Sequence, residues 1–222
     1  MDDRTLYERL SAFVSDHKRE LFEQLAPMRT RHITVALEDI YQPHNASAVL
    51  RTCDLLGIQD VHVIENRNHY TVNPDVALGA SKWIDLHRHR DGTDNTRACM
   101  SALREHGYRI VATSPHGDAF TPESIPLERP LAIFLGTEQH GLSDAVIDGA
   151  DMHLRIPMHG FTESYNISVS AAIILYTLIM RTHASDIAWT LSEEERLRVM
   201  IGWARRVVKH ADAIEDRLRN AP

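Results

Sequence analysis

An asparagine and an arginine that follow the first predicted strand are the first candidates for chemistry. Asn45 stands at the predicted N-cap of a helix, and Arg51 comes six residues later. An asparagine at a helix N-terminus accepts from free backbone N–H groups, and an arginine is a permanent cation with several donors. The same pattern is typical of a plain N-cap followed by a solvated arginine, so this segment alone leaves both interpretations open.

A second segment, LAIFLGTEQHGLSD (131–144), runs from a very apolar strand into polar residues and a turn. The strand ends in Gly136, Thr137 and Glu138, and the chain then turns through Gly141. Glycine at such a point lets the backbone approach a ligand closely. A tight turn that only needs positive φ would use the same residues.

A third segment, residues 154–176, leads from a strand into a long apolar helix. Pro157 stops the strand, and a loop containing Gly160 leads to Ser164 and Asn166 at the start of the helix. Either of these two residues is expected to cap the helix. The N–H groups left free there can hold an anion or an adenine edge, although a capped core helix without a ligand fits as well.

The signatures of several other enzyme classes are missing from the sequence. There is no GxGxxG, and Leu142 stands where the lysine of a P-loop would follow Gly136 and Gly141. There is also no GxSxG and no HExxH. Dehydrogenases, P-loop NTPases, α/β-hydrolases and zincins are therefore disfavoured.

The 14 histidines and two cysteines form no metal motif along the chain. Because no triad of ligands has metal-site spacing, we predict no metal. Cys53 and Cys99 are not part of a CxxC pair. This argues against a disulfide framework and favours a cytoplasmic protein.

An α/β domain must position the three segments, because apolar strands alternate with helical periodicity along the chain. A mostly parallel sheet binds ligands at the carboxyl ends of its strands, which is where the segments lie. The predicted strands are 33–38, 60–65, 83–89, 108–114, 131–137 and 151–157, and the predicted helices are 3–25, 46–56, 96–106, 165–183 and 192–218.

Length and charge predict one core with a helical extension at each end. We divide the 222 residues into an extension (1–30), a core (31–186) and a second extension (187–222). A net charge of −7 argues against nucleic acid, yet residues 196–210 hold five basic and no acidic side chains. The longest apolar stretch, 167–180, is shorter than the ~20 residues of a membrane span, and the charged N-terminus is unlike a signal peptide.

Taken together, the three segments resemble the three motifs of the SPOUT class of RNA methyltransferases in order and spacing. NASAVLRTCD, FLGTEQHGLSD and IPMHGFTESYNISVSAAIILY carry the resemblance, which covers residues 31–183 and is closest to the TrmH family. It implies a mostly parallel α/β sheet flanked by helices, a C-terminal deep trefoil knot, and helical extensions at both termini.

The resemblance also implies the reaction. It is the S-adenosylmethionine-dependent 2′-O-methylation of a ribose in tRNA, at guanosine 18 of the D-loop, by a metal-free homodimer. Related 2′-O-methyltransferases of rRNA or of the anticodon loop are alternatives, but the former usually carry a larger N-terminal domain and the latter usually lack a long C-terminal helix. A non-catalytic RNA-binding knot protein would not need the polar motif residues. An unrelated doubly wound enzyme would have to match three motifs by chance.

The residues expected to bind the cofactor also follow from the resemblance. In the family, S-adenosylmethionine lies bent in the knot and is held largely by the main chain of three loops. The family usually has leucine at the position of Tyr165, and the backbone contacts do not depend on that side chain. The corresponding residues are Thr113, Leu135, Gly136, Gly141, Ile156, Tyr165 and Ser168.

Arg51 matches the catalytic arginine of the family. Since arginine stays protonated, it is a poor base. We expect it to stabilise the forming alkoxide or to hold the adjacent phosphate. Asn45 and Asn166 are expected to orient the arginine and the ribose. Glu138 is expected to pair with Arg51 or to hold the RNA, and Ser164 to donate to substrate or cofactor.

Basic side chains near both termini are the candidates for binding tRNA phosphates. The apolar run 171–176 predicts that the helix 165–183 is covered on more than one side, as in a homodimer. Within the last predicted helix, Arg198, Arg205 and Lys209 share one face. The full set of candidates is Lys18, Arg19, Arg29, Arg31, Arg198, Arg205, Arg206 and Lys209.

Overall fold

The computed structural model describes residues 1–70, 77, 79–114 and 118–220. The chain divides into two compact units, one formed by residues 31–189 and the other by residues 1–30 together with 190–222. None of the helices described is both long and apolar enough to cross a membrane.

The larger unit is built on a six-stranded parallel sheet. All five neighbouring pairs run parallel, in the order β3-β2-β1-β5-β4-β6. This confirms the predicted α/β class, and the trefoil knot stays a prediction. The strands are β1 Ile33–Glu38, β2 Asp60–Ile64, β3 Asp85–His89, β4 Arg109–Thr113, β5 Leu131–Leu135 and β6 Met152–Leu154.

Helices cover both faces of this sheet, which is why its central strands β1 and β5 are buried throughout. Alternate residues of β1 point to opposite faces, so Val35 packs into one core and Ala36 into the other. Helices α3 and α6 cover the first core, and α4 and α5 cover the second. The helices are α3 Pro43–Leu55, α4 Asn95–Glu105, α5 Asp144–Gly149 and α6 Ile167–His183.

The smaller unit joins helices from the two ends of the chain. Leu6 and Leu10 of its first helix are buried, and the rings of Phe22 and Trp203 lie 5.3 Å apart. Ser192 and Glu195 form a reciprocal capping box. The helices are α1 Asp3–Ser11, α2 Asp16–Leu25, α7 Glu193–Val207 and α8 Ala211–Asn220.

Two of the predicted helices are broken in the structure. The prediction of one helix over 3–25 is wrong, because Ser15 adopts an extended conformation and begins α2, which leaves Phe13 60% exposed. The single helix over 192–218 is also wrong. It breaks at His210, whose φ of 57° ends helical geometry, and α8 then packs against α1.

Candidate active site

A tight loop after β5 lies at the centre of the candidate site. Thr137 and Gly141 exchange backbone hydrogen bonds of 3.0 and 2.9 Å, and Gly141 has a φ of 67°. A Cβ added to Gly136 would lie 2.2 Å from the backbone of Gly141. The close approach of two backbone segments therefore requires glycine at position 136, whether or not a ligand also lies against it.

One side of this loop borders a cavity of about 570 Å³. Six of the seven predicted cofactor residues line it, and Ser168 does not, since its N–H and hydroxyl both bond to Asn166 Oδ1. Apolar side chains that the sequence analysis did not name complete the wall, namely Leu142, Leu154, Met158 and Ile174. The predicted residues in the wall are Thr113, Leu135, Gly136, Gly141, Ile156 and Tyr165.

This lining suits an adenosine-sized ligand. Apolar side chains flank exposed main chain, which is the donor and acceptor set that a base edge needs. The Thr113 hydroxyl donates to the Phe134 carbonyl at 2.7 Å, so its proton is directed at the backbone, and its lone pairs remain for a ligand. The cavity therefore fits the cofactor that the motifs imply.

The other side of the loop borders a second cavity, of about 970 Å³. Residues 137–142 and Ile167 line both cavities, so the loop after β5 separates them. The remaining wall is rich in acid, amide and hydroxyl groups, and it includes Arg67. A polar ligand in the second cavity would thus lie next to whatever occupies the first.

Asn166 lines neither cavity, but it connects the three sequence motifs through hydrogen bonds to Asn45 and to Glu138 of the shared wall. Its Nδ2 donates to Asn45 Oδ1 at 3.2 Å and to Glu138 Oε1 at 2.6 Å. Its Oδ1 accepts from the Ser168 backbone N–H at 2.8 Å, which confirms Asn166 as the N-cap of α6. One amide therefore both starts the helix and fixes the side chains opposite it.

The prediction that Asn45 caps α3 is wrong. The helix begins at Pro43 with Gln42 as its N-cap, so Asn45 lies within the first turn and is buried. Proline is favoured at the first helical position because its missing N–H is not needed there. Asn45 Nδ2 donates to Gln42 Oε1 at 3.1 Å, which leaves its oxygen directed at Asn166.

Two acids at the end of β1, Glu38 within the strand and Asp39 directly after it, were not predicted from the sequence. The buried carboxylate of Glu38 accepts from Thr96 Oγ1 at 2.6 Å and from the N–H and hydroxyl of Ser143 at 2.8 and 2.7 Å. Asp39, with a φ of 50°, accepts at Oδ1 from the backbone N–H groups of Asn66 and Arg67. The pair of acids that ends an otherwise apolar strand, in VALED, was the available signal.

The structure does not bring Arg51 into this cluster. Arg51 is exposed on α3 and makes no side-chain hydrogen bond or ion pair with any residue that the structure describes. It lines neither of the two cavities. Ser164 is exposed and lines the smaller cavity, and its role as a donor to substrate or cofactor stays a prediction.

Several of the predicted RNA-binding residues have partners within the protein. Arg29 is 4% exposed, with its guanidinium 5.7 Å above the Trp203 ring, so the structure does not support a phosphate contact there. Lys18 and Lys209 are exposed. Arg206 is also exposed on α7. The ion pairs are Arg19–Asp16, Arg31–Asp60, Arg31–Asp85, Arg198–Asp3, Arg198–Glu194 and Arg205–Glu215.

Comparison with known families agrees with this geometry. Residues 32–176 match the model of the SpoU rRNA Methylase family, and the chain belongs to that family.

Individual proteins similar to this chain give a more specific comparison than the family does. The tRNA (guanosine(18)-2′-O)-methyltransferase of Borreliella burgdorferi is 44% identical over 207 residues, which is 93% of either chain. The crystal structure of the A. aeolicus TrmH/SpoU tRNA modifying enzyme superposes with a TM-score of 0.77 at 26% identity, covering 87% of this chain and 98% of that one. The SpoU methyltransferase AviRb of Streptomyces viridochromogenes, solved in complex with the cofactor AdoMet, shares the fold with a TM-score of 0.60 at 22% identity. The match covers 73% of this chain and 62% of that one.

Proposed function

We propose that this chain methylates the ribose 2′-hydroxyl of guanosine 18 in tRNA, with S-adenosylmethionine as the cofactor. The observation that carries the proposal is the hydrogen-bonded Asn45–Asn166–Glu138 cluster beside the two cavities, in which Glu138 lines both cavities and Asn45 lines the larger one. The chain belongs to the SpoU rRNA Methylase family, and a relative that is 44% identical is named for this activity. S-adenosylmethionine, when bound, supplies a methyl group attached to a positively charged sulfur.

The smaller cavity is the proposed cofactor site. The main chain at Leu135, Gly136 and Ile156 would hold the adenine edge, and the side chains of Ile156 and Tyr165 would cover its faces. Backbone groups held by the Thr137–Gly141 pair are preorganised, so binding costs little ordering of the loop.

The larger cavity is the proposed site of the acceptor nucleotide. Asn45 and Glu138 fix the Asn166 amide, and these three residues would orient the ribose hydroxyl toward the smaller cavity. Orientation of two reactants is itself a large part of the rate enhancement in such transfers. The transfer would join the hydroxyl oxygen to the methyl carbon as the carbon–sulfur bond breaks, with neutral S-adenosylhomocysteine as the leaving group and the hydroxyl proton passing to solvent.

A homodimer is part of the proposal. Val169, Tyr176 and Met180 recur at helical spacing on α6 and are 44%, 59% and 40% exposed. This apolar stripe lies on the helix that packs against α3, which carries Arg51. A second copy that covers the stripe would therefore lie beside Arg51, where its fixed cation can act on an RNA bound at the interface.

The test of the activity uses one tRNA transcript in two forms. The protein is incubated with labelled S-adenosylmethionine and either the normal transcript or one with 2′-deoxyguanosine at position 18. We expect methylation of the first and none of the second, with mass mapping that places the group on guanosine 18. Methylation of both forms, or of rRNA in preference to tRNA, would favour the alternative targets. A cytoplasmic location is the compartment expected for this substrate.

The test of the dimer is sedimentation of the unmodified chain, whose mass is 25.2 kDa. We expect twice this mass at micromolar concentration. Tyr176→Asp places a charge in the stripe and is expected to give the monomer, whereas Phe13→Asp, at an exposed aromatic residue of the smaller unit, is the matched control and is expected to remain dimeric. A native chain that sediments as a monomer would refute the dimer.

A further inference from the structure

Two histidines and a cysteine meet on the face of the sheet that α4 covers. His62 lies on β2, His89 on β3 and Cys99 on α4. His62 Nδ1 is 3.1 Å from His89 Nε2, and the donor atoms of all three residues lie within 4.8 Å of one another. These residues are far apart in sequence, which is why their spacing did not predict a site.

Packing on several sides holds this cluster in place. The parallel pairing of β2 with β3 puts His62 and His89 on one face, and the His62 ring stacks on His87 at 4.7 Å between centroids. Cys99 is fully buried. His87 in turn bonds through Nε2 to Asp60 Oδ1 at 2.9 Å, so its ring is fixed from outside the cluster.

We propose that His62, His89 and Cys99 bind one transition-metal ion of the zinc class. Two imidazole nitrogens and one thiolate are the donors that Zn²⁺ and Co²⁺ prefer, whereas Mg²⁺ and Ca²⁺ require oxygen ligands. Three protein donors leave a fourth tetrahedral position for water. None of the three residues lines either cavity, so the site stands apart from the proposed methyl transfer.

The protonation states bear on how the ion would enter. A neutral imidazole keeps one lone pair for a metal, and His62 Nδ1 faces His89 Nε2 across 3.1 Å. Burial raises the pKa of the Cys99 thiol to about 12. The ion has to displace this thiol proton, which passes to solvent as the sulfur–metal bond forms.

The site would join three elements of the larger unit. The ion would link two strands at the end of the sheet to α4, and Thr96, three residues before Cys99 on the same helix, donates to the buried Glu38. A bound ion is thus expected to stabilise the unit against unfolding, because it binds the folded chain and not the dispersed ligands.

The test is a titration of the untagged, EDTA-treated and dialysed full chain with Co²⁺. We expect a thiolate-to-cobalt charge-transfer band in the near ultraviolet that saturates at one equivalent and is displaced by Zn²⁺. Zn²⁺ is also expected to raise the Tm. Neither readout depends on methyltransferase activity, so the result is independent of the proposed function.

Matched variants assign the ligands. Cys99→Ser is expected to lose the band, and Cys53→Ser, at the other buried cysteine, is expected to retain it. His89 is less buried than Cys99. His89→Gln is expected to weaken Co²⁺ binding by more than about tenfold, since loss of even a hydrogen-bond partner of a metal ligand typically lowers metal affinity about 10–100-fold. Absence of the band from the native chain, its survival in Cys99→Ser, or its loss in Cys53→Ser would each overturn the proposal.

Discussion

Arg51 is the residue at which the rate of methyl transfer can be separated from the binding of the cofactor. It lines neither cavity, so Arg51→Ala is expected to leave the affinity for S-adenosylmethionine unchanged. Loss of a fixed cation beside a developing charge typically lowers the rate by about 10²–10³. Single-turnover methylation at saturating tRNA measures this directly.

The matched control is Arg90→Ala, which removes an exposed arginine that lies in neither cavity. Its single-turnover rate is expected to equal that of the native chain. If Arg51→Ala also kept the native rate, the role taken from the family resemblance would be incorrect for this chain.

Asn166 has two functions that a single substitution can divide. Its oxygen caps α6, and its amide nitrogen donates to Asn45 and Glu138. Aspartate caps as well as asparagine, but its second oxygen would face two acceptors. Asn166→Asp is therefore expected to keep the Tm and lose most of the methylation rate, whereas Asn166→Ala is expected to lose the rate and also about 1 kcal/mol of stability.

Thermal unfolding followed by circular dichroism, together with single-turnover rates, checks both variants. A fall in the Tm of Asn166→Asp as large as that of Asn166→Ala would contradict this division, because the cap would then depend on the amide nitrogen as well.

At the scale of elements, the loop between β5 and α5 needs its two glycines for different reasons. Gly136 has no room for a Cβ, and Gly141 has a positive φ. Gly136→Ala would press a Cβ to 2.2 Å from the backbone of Gly141, so the loop has to open. Displacements of about 1 Å in an active site cost up to about a hundredfold in rate, and we expect the opened loop to lower the cofactor affinity by about tenfold, which is about 1.4 kcal/mol. Calorimetry with S-adenosylmethionine measures it.

Gly141→Ala is the contrasting variant. No heavy atom lies within 4 Å of its added Cβ, so only the φ of 67° opposes alanine, at a cost of roughly 1–2 kcal/mol. We expect lower stability with cofactor affinity largely kept. Equal losses of affinity in the two variants would show that strain, and not the close approach at Gly136, controls the loop.

The elements also show what could be predicted from the sequence. Strands such as β5 are unbroken apolar runs bounded by turn residues, and their parallel arrangement follows from the intervening helices. The short α5, with six residues, has too few turns for a periodic pattern, and it was missed. The break at His210 depends on where α8 packs, which local spacing does not contain.

The same limit applies to the site. The capping role of Asn166 was predictable because it is local. Its bond to Asn45 joins residues 121 positions apart, so only the family resemblance grouped them. His62, His89 and Cys99 belong to no recognised sequence motif, so only the structure showed that they lie close together.

For the whole molecule, the structure divides the predicted RNA-binding set. Lys209 is exposed and has no side-chain hydrogen bond or ion pair among the described residues. Lys209→Ala is expected to weaken tRNA binding at unchanged stability and to reduce the salt slope by about one unit. Binding isotherms at several salt concentrations check the prediction, and an unchanged slope would remove Lys209 from the interface.

Arg205 is expected to behave differently. It donates to both oxygens of Glu215 at 2.5 and 2.8 Å, and Glu215 is buried. Arg205→Ala is therefore expected to lower the free energy of unfolding by about 1–2 kcal/mol, a discounted value because the arginine is partly exposed. Adding Glu215→Gln neutralises the buried carboxylate that has lost Arg205 and is expected to recover part of that loss in urea denaturation, without restoring any lost affinity for tRNA.

The smaller unit has a consequence for how the protein is made. Its first 30 residues leave the ribosome early, yet their packing partners in 190–222 are synthesised only after the whole of 31–189. At about 5–20 residues per second this interval lasts roughly ten to thirty seconds. Throughout it Leu6, Leu10 and Phe22, which are buried in the finished protein, lack the α7 surface that covers them. We therefore expect helices α1 and α2 to depend on chaperones that hold apolar segments until residues 190–222 have been synthesised.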